Sequence, residues 1–214
     1  MASEPRAVMS RRRMVALLAV LAVIADVRPA AAAAAGSVVG LSGACTIEGG
    51  GRRGSLKLGD AVQVADTVDV AAGGKLKLRM ADGSVISVAS GTRMTIAAYA
   101  VDGAGQRQDA RLSLAQGLLR TVVAPVGGQA NFEVDTAVGT AAVRSTDWFI
   151  EIQPNAAQVG VLTGSVVLTS AATRRSATIP ARWGARLEAG RDPVSARVWS
   201  PAEFEAVIAR TDVN

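Results

Sequence analysis

The sequence predicts an all-β protein: many short antiparallel strands arranged as a sandwich or an irregular β-solenoid, with one short helix near the C-terminal end. Three observations predict it. Apolar and polar residues alternate over short runs, glycine-containing turns separate those runs, and a helix start signal closes the chain.

The clearest run is Lys75 to Met80, where Leu76, Leu78 and Met80 share one face and charged residues the other, the period of a half-buried strand. Asp82-Gly83 supplies a turn, and Ser84 to Val88 returns as the second arm of a hairpin. Thr92 to Tyr99 and Arg111 to Leu114 repeat the pattern on either side of Asp102-Gly103-Ala104-Gly105. Further strands are expected at Leu118 to Val123, Asn131 to Thr136, Ala142 to Arg144, Trp148 to Gln153, Gln158 to Leu162, Ser165 to Thr169, Ser176 to Ile179 and Ala185 to Glu188. Gly160 falls inside one of them and is expected to mark a bulge. No fixed repeat length is sustained, which weighs against a regular solenoid.

The β pattern breaks at Ser200-Pro201-Ala202-Glu203, which combines an N-cap, a first-turn proline and the acidic residue of a capping box. A helix from Pro201 to about Arg210 follows, with Phe204, Val207 and Ile208 on one face, expected to close an edge or end of the β core.

At the other end, Arg11-Arg12-Arg13 precedes the apolar run Met14 to Ala25 and then alanines 30 to 35. Twelve apolar residues fall short of the roughly 20 that cross a bilayer and match an export signal instead. The expected organisation is an export signal over 1–35, a β domain over 36–190 and a tail with a capping helix over 191–214. A periplasmic or secreted location follows, by the general secretory route rather than the twin-arginine one, with no stable membrane anchor once the leader is cleaved. An uncleaved leader would leave a membrane-anchored protein.

Charge and composition narrow the function. The net charge of +5 is partly a leader property: five of the 23 basic residues precede Gly36, leaving 18 basic against 16 acidic. With seven aromatics and no long basic run, no nucleic-acid partner is expected. The chain has no histidine, so a Ser-His-Asp triad is excluded, and its one cysteine, Cys45, excludes an internal disulfide and multi-Cys zinc sites. Cys45 reads as a small buried residue of the first strand. Asp60, Asp66 and Asp69 do not have calcium-loop spacing and read as exposed turn and strand-end carboxylates. Gly49-Gly50-Gly51 before Arg52-Arg53 lacks a phosphate-loop pattern and reads as a hairpin connection. Lys75 and Lys77 read as solvent-facing, and Trp148, Trp183 and Trp199 as packing residues. No enzyme, cofactor or metal site is expected.

Several motifs, in order, carry a resemblance. They are Leu56-Lys57-Leu58-Gly59-Asp60, Ala65-Asp66-Thr67-Val68, Leu76 to Met80 leading into Asp82-Gly83-Ser84, the segment Phe132 to Phe149 containing Val143-Arg144-Ser145-Thr146, and Val161-Leu162-Thr163-Gly164-Ser165-Val166. This set resembles the FecR domain family. Ala137 stands where the family usually has proline, and Ser145 where it usually has glycine, which implies a relaxed turn before Thr146. The resemblance implies a periplasmic regulator acting through protein contacts. Some members add a cytoplasmic anti-sigma segment. Only ten residues precede the basic leader here, so a stand-alone FecR-domain protein is expected.

The expected function is therefore a non-enzymatic protein-interaction or sensing module of a signalling or envelope system, with a protein partner in the periplasm or outer membrane. Exposed strand edges offer it one way to bind. The alternative is a structural envelope component that binds glycan or self-associates. Arg144, Thr146 and Asp147 are the candidate contact residues. Arg144 offers a donor fork to a carboxylate, and the plainer reading is that all three stabilise their own turn.

Overall fold

The computed structural model describes residues 34–127, 132–193 and 196–213. All of the expected export signal but Ala34 and Ala35 lies outside them.

Among the described residues the chain forms strands β1 (Gly36–Ser42), β2 (Cys45–Gly49), β3 (Arg52–Ser55), β4 (Ala61–Val62), β5 (Thr67–Val70) and β6 (Lys75–Met80). It continues through β7 (Val85–Val88), β8 (Thr92–Val101), β9 (Arg107–Gln116), β10 (Leu118–Val122), β11 (Phe132–Asp135) and β12 (Gly139–Val143). The last elements are β13 (Asp147–Gln153), β14 (Ala156–Thr163), β15 (Ser165–Ser170), β16 (Ser176–Pro180), β17 (Trp183–Glu188), β18 (Arg197–Val198) and the helix α1 (Pro201–Thr211).

The strands divide into two nine-stranded sheets. The first has the order β18-β17-β14-β13-β10-β7-β6-β1-β4 and the second β16-β15-β12-β11-β9-β8-β5-β2-β3. Both lengthen in the same direction as the chain advances, because it lays down a strand or hairpin in one sheet and then crosses to the other. Each pairing is antiparallel except β9 with β11, which run parallel because β10 in the other sheet intervenes.

One hydrophobic core fills the space between the sheets. Leu76, Leu78, Ile86, Trp148 and Ile150 of the first sheet share it with Met94, Ile96, Leu112 and Val134 of the second. The alternation of β6 is realised residue by residue, its apolar members buried and Lys75, Lys77 and Arg79 turned outward. Cys45 is buried as expected but opens β2 rather than the first strand, its Sγ 3.5 Å from the Lys75 carbonyl. Burial pushes its thiol pKa up.

Gly160 is not a bulge. It stands in register between Phe149 and Gly184, and a Cβ there would come within 2.2 Å of the Phe149 ring. The irregularity lies two residues on, where Asp147 and Trp148 pair with Thr163 and Val161 and leave Leu162 over.

The helix forms where the start signal places it, with both halves of the capping box made between Ser200 and Glu203. It does not close an edge or end. Phe204 and Val207 pack with Trp199 on the outer face of the first sheet, against Ala89, Leu118 and Phe149. The cause is the run Trp148-Phe149-Ile150: its flanking members enter the core, so Phe149 must face out and needs a cover. Lys75 and Lys77 join this packing rather than facing only solvent. Lys75 Nζ donates to the Ala209 and Asp212 carbonyls at 2.8 Å each, satisfying acceptors that the last helical turn leaves open.

Candidate functional site

β12 leaves the second sheet at Val143 and β13 enters the first at Asp147, so Arg144-Ser145-Thr146 is a crossover between layers. The ladder between β12 and β15 ends at Ala142 opposite Val167. Beyond it the two strands separate, and the Thr146 hydroxyl donates to the Ser165 carbonyl at 3.2 Å. The separation leaves an open groove of about 600 Å³ lined by Ala142, Arg144, Ser145, Thr146, Ser165 and Val167, among others. Gly164 makes the close approach feasible: its φ is +83°, and a Cβ would lie 2.7 Å from Thr146 Oγ1.

The three candidate residues divide in role. Thr146 is buried, and its carbonyl also accepts from Val123 N at 3.0 Å. Asp147 is clamped by Arg120 through two hydrogen bonds of 3.0 and 2.8 Å. Arg144 is exposed at the rim of the groove. The geometry thus brings Arg144 and Thr146 to one groove and assigns Asp147 to an ion pair beside it. Ser145 needs no left-handed backbone, so the usual glycine is replaced without strain.

The turn is held from below by a group that sequence reasoning missed. Arg107 is fully buried and forms an ion pair with the equally buried Asp82. Its second terminal nitrogen donates to the Arg144 carbonyl at 3.0 Å. Asp82 also accepts from Tyr99 Oη at 2.6 Å, Ser84 N at 2.9 Å and Ser84 Oγ at 2.8 Å. Burial opposes ionisation of this carboxyl, yet the bonds from Tyr99, Ser84 and Arg107 outweigh it and hold its pKa below the ordinary value. Burial first, then the bond to and charge of Asp82, push the Tyr99 phenol far up. The Asp82-Gly83-Ser84 hairpin turn is therefore wired to the Arg144 turn through Arg107. The signal in the sequence was the hairpin motif itself; an arginine at the start of β9 carries none.

A second pair corrects an expectation. Asp66 is not an exposed carboxylate but wholly buried, paired with Arg52 and accepting from Gln63 N at 2.7 Å. Arg52 follows the hairpin connection Gly50-Gly51, whose two residues take φ of +54° and +78°. Asp69 pairs with Arg93 at 2.7 Å at the surface.

The sheet edges are blunt. β4 and β18 have two residues each, β3 carries Arg52 and Arg53, and β16 ends on Pro180. Short strands, cations and proline are the features that discourage strand addition.

The span that holds these hairpins and the crossover matches a family model. Residues 66–167 resemble the FecR domain. That span matches the family model described as FecR protein. Two crystal structures of a candidate anti-sigma factor from Parabacteroides distasonis, at 1.65 and 2.50 Å, share the fold with a TM-score of 0.54 each. They are 15% identical to this chain, cover 65% of it, and are themselves covered over 63% and 62% of their length. The chain thus spans less than two thirds of those proteins, and at that identity the likeness concerns the fold. No curated protein matches the sequence. The FecR span runs from the buried Asp66 to the exposed Val167 and includes the whole Arg107 network, while α1 lies beyond it.

Proposed function

We propose that this FecR-domain chain is a non-catalytic protein-contact module of a signalling or envelope system, exported to the periplasm, and that the groove at the Arg144–Thr146 crossover is its contact face. The observation that carries this reading is the Arg107–Asp82 pair, a buried ion pair whose arginine donates from its second terminal nitrogen to the Arg144 carbonyl at 3.0 Å. Burying two charges is costly, and an apolar pair would fill the same space more cheaply, so the pair is best explained by fixing that turn. The basic leader and its apolar run support export. The blunt edges favour the groove over strand addition, and they weigh against self-association through sheet edges.

Photo-crosslinking in the native envelope tests the reading. A benzophenone amino acid is placed at Ser145 or Val167, with Ser113 on the outer face of β9 as control. Discrete protein adducts from the groove positions and none from Ser113 are expected. Identical adduct patterns at all three positions, or adducts to glycan alone, would overturn it.

A further inference from the structure

The four residues Leu162, Arg182, Pro201 and Phe204 line an open cleft of about 220 Å³ between the first turn of α1 and the β16–β17 connection. Its walls are apolar on three sides, and the fourth is an exposed arginine. Three of the four residues lie beyond the span that matches the FecR family model.

Two features of Arg182 bear on this cleft. Of the other arginines in this part of the chain, Arg175 is paired with Asp192, Arg186 and Arg191 with Glu188, and Arg197 with Glu203, while Arg174 has no ion pair among the described residues. No carboxylate pairs with Arg182 among the described residues. Its backbone also has φ +69°, a conformation costly for any side chain with a Cβ, and is locked there by Arg182 N donating to the Val161 carbonyl at 2.7 Å and Trp199 N donating to the Arg182 carbonyl at 3.0 Å. Glycine would satisfy that conformation without strain.

We propose that this cleft is a docking site for an acidic peptide segment of a partner protein, one in which a carboxylate adjoins a bulky apolar side chain. The guanidinium takes the carboxylate, and the walls of Leu162, Pro201 and Phe204 take the apolar group. The volume suits one large side chain, and the open shape suits a chain passing through rather than a terminus. Glu203, which precedes Phe204, is matched by Arg197. The site is separate from the Arg144 groove, and its failure would leave that reading intact.

The probe is a blocked peptide containing Glu-Phe, titrated into the full isotope-labelled chain. The indole N–H signals of Trp183 and Trp199 report the cleft, and Trp148 in the core serves as reference. Saturable shifts at Trp199 are expected, with at least tenfold weaker binding for Gln-Phe and Glu-Ala peptides. Arg182→Gly should weaken the Glu-Phe peptide at least tenfold while its Tm stays equal to or above the parent's. Unmoved indoles, undiminished binding by Arg182→Gly, or a lowered Tm in that variant would each overturn the proposal. Tighter binding of a peptide ending in a free phenylalanine carboxylate would overturn the assignment to an internal segment.

Discussion

Replacing Arg107 by methionine keeps most of its aliphatic stem and the packing on Phe132, whose ring centre lies 5.8 Å from the guanidinium carbon, but removes the charge. Three donors then remain on Asp82, from Tyr99 and Ser84, while the Arg144 carbonyl loses its side-chain partner. Breaking a buried pair costs about 3–5 kcal/mol, and the surviving donors put Arg107→Met near the low end, about 3 kcal/mol. Asp82→Asn should cost more, about 5 kcal/mol, because the stranded guanidinium cannot shed its proton whereas a stranded carboxyl can take one up. The double variant should lose less than the two single losses combined, with a coupling of about 2 kcal/mol or more. Urea unfolding followed by tryptophan fluorescence measures all three, with the denaturant slope unchanged. Single losses below about 1 kcal/mol, or additivity within about 0.5 kcal/mol, would refute the claim that this pair is a coupled anchor of the crossover.

Gly160→Ala should destabilise by about 2 kcal/mol and alter Trp199 emission, because its Cβ displaces Phe149 from the cluster where it lies 5.2 Å from Trp199; a neutral substitution would refute that packing. Tyr99 is the sole tyrosine, so ultraviolet titration reads it alone. With its folded pKa raised, its contribution to stability is full below the unfolded value near 10 and is lost as pH rises through the folded one. No tyrosinate should therefore appear by roughly pH 11 while fluorescence stays native, and a rise near pH 10 in the folded protein would refute the buried bond to Asp82. Glu203 is pulled down to about 2 by Arg197 and by the Ser200 amide. Its contribution is present above the ordinary value of 4.5 and is lost as pH falls toward 2. Helix docking read from Trp199 should weaken across that window, and Glu203→Gln should remove the dependence; an unchanged acid profile in Glu203→Gln would refute it.

The strands with clean alternation were legible because one face meets the core and the other meets water, as in Lys75 to Met80. The first strand, GSVVGLS, was not, since two glycines and paired valines break the period. Ala61–Val62 and Arg197–Val198 are too short to show any period at all. The capping box fixed where α1 begins, because that information is local. Where the helix packs was not local. It depends on Phe149 facing outward between Trp148 and Ile150, and a run of three apolar residues does not say which face is covered.

The candidate site was legible at its ends and not in its middle. Asp82-Gly83-Ser84 and Arg144-Ser145-Thr146 both stand out as turn motifs, yet they are about 60 residues apart and nothing in either names the other. Their connector is a charged residue, and charge in a sequence reads as exposure, which is why Arg107 escaped notice and Asp66 was read as an exposed carboxylate. The bulges in the β8–β9 pairing, at Arg93/Met94, Ile96/Ala98 and Ala100/Val101, interrupt the regular two-residue period before the register reaches Arg107 opposite Val101. A position that the plain alternation of Ala110, Leu112 and Leu114 would assign to solvent thereby becomes a core position. The same irregularity that hid the arginine from sequence reasoning is what delivers its guanidinium to the underside of the crossover, and an altered register in β8–β9 should release the Arg144 turn even with every residue of the network intact.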